Sequence, residues 1–237
     1  MRGIVILSLL TASLVYAAAN DYVEVRDMRL PAKGLTTLQI DAGAGSLEVT
    51  GVADADEVVV TARIVVPSKN DTVAQRIIAS DMVLSLENEG ELAVLASHFG
   101  SSLWRWNGSP TIDLEISVPE RFILMVDDGS GSMKINDVRG DITIDDGSGS
   151  ISLMDVGGSI RIDDGSGSIR VTEVSDSVSI VDGSGSITVS AVGGSVFIDD
   201  GSGSIDVSDV AQDFIVKDDG SGSIKFAGVQ GRVETPD

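Results

Sequence analysis

The sequence predicts an all-β chain: a single-stranded parallel β-solenoid of 18-residue coils, with a small α+β cap or insertion near the N-terminus. Three observations carry that expectation. The run Asp-Gly-Ser-Gly-Ser recurs with its first glycine at Gly129, Gly147, Gly165, Gly183, Gly201 and Gly220, at spacings of 18, 18, 18, 18 and 19. Within each unit apolar residues alternate with polar ones in two short runs, as at Ile151 and Leu153 and again at Ile160 and Ile162. Alternation with period two marks a strand with one buried face. Residues 57–118, by contrast, lack the period. Short strands repeated at a fixed interval bury their apolar faces by stacking, and two facing ladders of such strands form a solenoid.

Residues 1–19 read as a secretory signal peptide. Arg2 supplies the positive start, Ile4 to Val15 an apolar stretch too short to span a bilayer, and Ala17-Ala18-Ala19 a small-residue cleavage site before Asn20. Val15-Tyr16-Ala17 offers a second cut two residues earlier. No later segment has the roughly 20 apolar residues of a membrane-spanning helix. The expected location is therefore exported, either periplasmic or extracellular and cell-surface.

Residues 20–118 are expected to hold a first coil plus the cap, and residues 119–237 the regular coils. The first coil is a degenerate repeat, Asp41-Ala42-Gly43-Ala44-Gly45-Ser46-Leu47-Glu48-Val49, followed by Val52. In the insertion, Val58 to Val66 reads as a strand and Asp71 to Met82 as a helix that turns Val73, Ile77 and Ile78 inward, with a capping signal over Ser68 to Asp71. Val83–Leu86 and Leu92–Leu95 form a hairpin around Glu87-Asn88-Glu89-Gly90, and Ile112 to Val118 alternates as a strand. In the regular coils the inward columns are Met133, Ile151, Ile169, Ile187, Ile205, Ile224; Ile135, Leu153, Val171, Val189, Val207, Phe226; and Ile142, Ile160, Val178, Val196, Phe214, Val233. The one 19-residue spacing places a bulge at Lys217. Arg232, Glu234 and Pro236 blunt the last strand edge.

Composition narrows the function classes. The chain of 237 residues carries 16 Lys and Arg against 37 Asp and Glu, a formal charge of −21. Such a balance excludes the Lys/Arg clusters that grip nucleic-acid phosphates and disfavours docking on anionic lipid. With no cysteine there is no disulfide scaffold, thiolate nucleophile or Cys-ligated metal.

The run Trp104-Arg105-Trp106-Asn107-Gly108-Ser109-Pro110, then Ile112 to Pro119, then Gly-Ser-Gly-Ser coils, resembles the putative adhesin family of exported bacterial β-strand-repeat proteins, over roughly residues 35–235. The resemblance implies a β-solenoid at the cell envelope or outside the cell. That family has no established function and no established catalytic residues, so it transfers none.

Two candidate sites emerge. Asp128, Asp146, Asp164, Asp182, Asp200 and Asp219 form one column, and Asp127, Asp145, Asp163, Asp199 and Asp218 a second that Val181 interrupts. Stacked carboxylates repel, and Ca2+, an oxygen-seeking cation, would offset that. The alternative is structural: an Asp before Gly-Ser accepts hydrogen bonds from the amides of its own turn. Trp104, Arg105 and Trp106 are the second site. Both rings fall on one face if the segment is a strand, giving a platform for a polysaccharide or an envelope protein, or else cap core. The serine columns read as hydroxyl ladders, and a serine nucleophile lacks a base because His98 is the single histidine. The expectation is a non-enzymatic interaction module, with a calcium-binding repeat as the alternative and a polysaccharide-active β-helix enzyme behind both.

Overall fold

The computed structural model describes residues 21–100 and 109–236. The order is β1 (Tyr22–Pro31), β2 (Thr37–Ala44), β3 (Leu47–Val52), β4 (Glu57–Val66), α1 (Asp71–Asp81), β5 (Met82–Glu89), β6 (Leu92–Phe99) and β7 (Thr111–Pro119). The coils follow as β8 (Ile123–Val138), β9 (Ile142–Asp146), β10 (Gly149–Val156), β11 (Ile160–Asp164), β12 (Gly167–Val174) and β13 (Val178–Asp182). They end with β14 (Gly185–Val192), β15 (Val196–Asp200), β16 (Gly203–Val210), β17 (Phe214–Asp219), β18 (Gly222–Ala227) and β19 (Val233–Glu234).

Strand pairing closes the predicted solenoid. One face stacks β8, β10, β12, β14, β16 and β18 in parallel, with Ile151 on Ile169 and Leu153 on Val171. The other stacks β8, β9, β11, β13, β15, β17 and β19, with Ile160 on Val178. β8 belongs to both because its 16 residues bend around the Gly129–Gly131 corner. Identical registers put one residue type above itself, so the mainly β-branched columns bury almost completely: Ile169 is 1% exposed and Val189 0%. The valine of the opposite corner also points inward, as Val138, Val156, Val174, Val192 and Val210 show. In the last coil Phe226, tilted against Phe214 at 5.8 Å, remains 49% exposed because no strand stacks beyond β18 among the described residues.

Chain order and spatial order part company at the other end. β2 and β3 lie directly on the two halves of β8, with Leu38 on Leu124 and Leu47 on Met133, so they form the predicted first coil. The insertion returns to stack on their far side: β6 runs parallel to β2 and β7 parallel to β3. Antiparallel β4 and then β1 extend one face, and antiparallel β5 extends the other. Helix α1 buries Ala74, Ile77 and Ile78 in the core that runs unbroken from cap to rod; Val73 is only partly covered. Asn70 caps it, its side chain accepting from the Val73 N–H at 3.2 Å.

β1 escapes the sequence reading. Its charged residues Glu24, Arg26, Asp27 and Arg29 interrupt the apolar signal, and its buried side chains are confined to Met28 and Leu30. The bulge lies where the spacing puts it: Ile198 pairs with Val216 and Asp199 with Asp218, which leaves Lys217 over, bonded to Asp199 at 2.6 Å.

The Gly-Ser-Gly corner sets how closely coils approach. A Cβ on Gly167 would lie 1.5 Å from the carbonyl oxygen of Gly149, and its φ is +150°. Neither contact nor torsion admits a side chain. Gly167→Ala is expected to destabilise the chain by about 3 kcal/mol or more, from strain and overpacking together, read as a lower urea midpoint.

Candidate functional site

Counting the alternation along a coil decides where each aspartate points. In β11 Ile160 and Ile162 face inward, so Arg161 and Asp163 face out and Asp164 faces in. The aspartate directly before each Gly-Ser-Gly corner is thus an interior residue in every coil but the last. Asp128, Asp146, Asp164, Asp182 and Asp200 are 4%, 3%, 2%, 3% and 1% exposed. Asp219, in the last coil, is half-buried. Parity of the strand pattern contains this signal, but an Asp-Asp-Gly-Ser run reads as a solvent-facing turn until the strand is followed to its last residue.

The turn-forming role is present in the geometry. Oδ1 of Asp146, Asp164, Asp182 and Asp200 accepts from the backbone N–H of Ser148, Ser166, Ser184 and Ser202 at 3.2, 3.1, 3.1 and 3.0 Å. Meanwhile the aspartate carbonyls carry the ladder across the corner, as where Gly165 N–H donates to Asp146 O at 2.9 Å. The second carboxylate oxygen has no such partner. Oδ2 of Asp128, Asp164, Asp182 and Asp200, and Oδ1 of Asp219, are buried without a hydrogen bond.

Electrostatics follow from this placement. Parallel strands sit ~4.8 Å apart, and two unit charges at that distance repel by roughly 3 kcal/mol at an intermediate effective permittivity. Burial, reinforced by Asp146, pushes the Asp128 carboxyl up to about 7. Asp182 is pushed up to about 6 by burial, with Asp164 and Asp200 adding to it against the Ser184 hydrogen bond. Asp146, Asp164 and Asp200 are raised as well, burial being the largest cause in each.

Among the described residues no group of three or more His, Cys, Asp or Glu side chains is arranged to hold a metal ion. The in-register column spaces its carboxylates along a line, whereas Ca2+ requires 6–8 oxygens converging on one point. Trp104, Arg105 and Trp106 lie outside the described residues, as do residues 1–19. His98 lies on β6 beside Gly43, where a Cβ added to the glycine would meet the His98 Cβ at 3.0 Å. In the serine columns, one hydroxyl pair among the described residues is joined, Ser204 with Ser223 at 3.4 Å; the corner is held by backbone and Asp oxygens more than by a hydroxyl ladder.

No family model and no curated protein matches the chain. Solved structures do resemble it over nearly its whole length at low identity. One is a putative cell adhesion protein from Clostridium sporogenes, 10% identical, covering 90% of this chain and 98% of its own, with a TM-score of 0.33. A putative adhesin from Bacteroides fragilis is 15% identical over 90% of this chain and 96% of its own, with a TM-score of 0.39. A putative lipid binding protein from Parabacteroides distasonis is 16% identical over 91% of this chain and 97% of its own, with a TM-score of 0.46.

Two outcomes follow for the column. Asp164→Ala leaves the Ser166 N–H without its acceptor, whereas Asp164→Asn keeps an oxygen in place. At pH 5 the alanine variant is expected to be less stable than the asparagine variant by about 1–2 kcal/mol, measured by chemical denaturation. Since no three carboxylates converge, melting in chelator and in millimolar calcium is expected to agree within about a degree; a shift that saturates with calcium would reassign the column as a metal site.

Proposed function

We propose that this chain is an exported, non-enzymatic β-solenoid that acts as an adhesin-like interaction module at the cell envelope. The observation that carries the reading is the rod itself. Coils in register, apart from the bulge at Lys217, present two long faces, closed at one end by α1 and the insertion. Such a shape offers extended surface, which suits a polysaccharide or an envelope protein. Strand alternation argues in the same direction. The outer and inner aspartates of a coil differ in environment but point to opposite sides of the strand, so they do not flank one substrate bond as a catalytic carboxyl pair must. The apolar segment at residues 4–15 and the formal charge of −21 support export and a water-facing surface free of nucleic acid. Among the described residues no helix is long and apolar enough to cross a membrane.

Trp104 and Trp106 are the binding anchors of this reading, with Arg105 between them. Indole rings supply large, rigid contact area with one polar handle each, the chemistry that stacks on sugar rings and anchors protein interfaces. Binding of the purified chain to an array of envelope polysaccharides and to whole cells tests it. Trp104→Ala with Trp106→Ala is expected to weaken binding at least about tenfold, equivalent to roughly 1.4 kcal/mol, with an unchanged circular dichroism spectrum. Unchanged binding would remove the tryptophans from the site, and absence of binding across the panel would reduce the chain to a scaffold.

A further inference from the structure

We propose that the inward aspartate column is a proton-binding seam: carboxyls of successive coils take up protons from solvent, and their protonation tightens the rod at this corner. Geometry carries the inference. Five carboxyl groups, each at least 96% buried, stack in register inside the solenoid. Oδ1 is engaged by a serine N–H at four of them, and Oδ2 is buried and unpartnered at Asp128, Asp164, Asp182 and Asp200. An unpartnered, desolvated carboxylate oxygen is the place where a proton binds, and it does so with no change at Oδ1. Neutralising one residue relieves the repulsion on its neighbours and so lowers their own affinity for a proton; the sites are coupled and titrate in succession over a broadened range.

Among the described residues no positive charge relieves the column from any side. On the same strands Asp127, Asp145, Asp163, Asp199 and Asp218 face outward; Lys217 bonds to Asp199, and Arg161 is likewise on the outer face. Asp41 of β2 continues the outer column above Asp127, while Ala42 and then buried Ser97 of β6 close the inner one above Asp128, with His98 next along β6. Across the corner the inward residues are Met133, Ile151, Ile169, Ile187 and Ile205, all apolar. Ser97 Oγ is itself buried without a partner at that end of the seam.

The sign is fixed by folded carboxyls that bind protons more tightly than unfolded ones. The seam's contribution is complete below about pH 4, where the unfolded carboxyls also protonate, and is lost as pH rises through about 6 at Asp182 and about 7 at Asp128. The chain is therefore a rod that strengthens on mild acidification. Thermal melts of the purified chain in chelator, at pH 8 and pH 5 and at high salt to screen the outer charges, test it. The melting temperature is expected to rise by about 5 °C or more on going to pH 5. Replacing Asp146→Asn, Asp164→Asn and Asp182→Asn together should at least halve that rise, and Asp145→Asn, Asp163→Asn and Asp199→Asn together should leave it. A full rise in the first variant, or equal loss in the second, would overturn the seam. If the first variant does not fold, carboxyl carbon NMR of the unmodified chain decides. Inner-column midpoints above pH 5 support the proposal, and midpoints at or below pH 4 overturn it.

Discussion

Backbone meeting backbone at the glycine corner is the contact on which the remaining architecture rests. Coils can stack at strand spacing only if the chain turns with nothing projecting toward the coil beneath. The carbonyl of Gly149 already occupies the place where a side chain on Gly167 would go, and that relation recurs from Gly131 to Gly222. With the corner fixed, each strand is forced into the same register as the last. In-register stacking then determines the core, because isoleucine over isoleucine and valine over valine fill the space between two sheets in repeating layers. It also determines the column of aspartates, which inherits the repeat whether or not like charges favour it.

That inheritance sets two forces against each other at one corner. The Asx-type hydrogen bonds to Ser148, Ser166, Ser184 and Ser202 organise the turn, and they require an oxygen acceptor at that position. An ionised carboxylate supplies the acceptor at the expense of desolvation and of repulsion from the coils above and below. A proton on the other oxygen satisfies both demands, since the acceptor stays and the charge goes. The outer aspartates face water and meet the repulsion by solvation, with Lys217 pairing one of them.

The cap solves a different problem. A solenoid has open strand edges at its ends, and exposed edges recruit further strands. Here the chain returns on itself: β6 and β7 complete one more layer, and β4, β1 and β5 extend it in antiparallel sense. β1, the edge strand of one face, carries Glu24, Arg26, Asp27 and Arg29 among its ten residues, a charged border of the kind that discourages further pairing. α1 covers the core there with Ala74, Ile77 and Ile78, so the rod and its cap share a single apolar interior.

The sequence by itself determined the solenoid, the coil length, the inward apolar columns of every coil but the last, where Phe226 and Val233 stay exposed, the bulge at Lys217, the helix and the hairpin, because each depends on local periodicity or on turn chemistry that a few adjacent residues express. Only the tertiary structure decided that β6 and β7 stack outside the first coil and that β1 closes one face, since pairing between segments far apart in the chain leaves no trace in period. It also decided the character of the aspartates. Asp-Asp-Gly-Ser is the same four residues whether the second carboxyl meets water or core; the neighbouring coil above and below removes the water, and burial is a property of the stack rather than of the repeat.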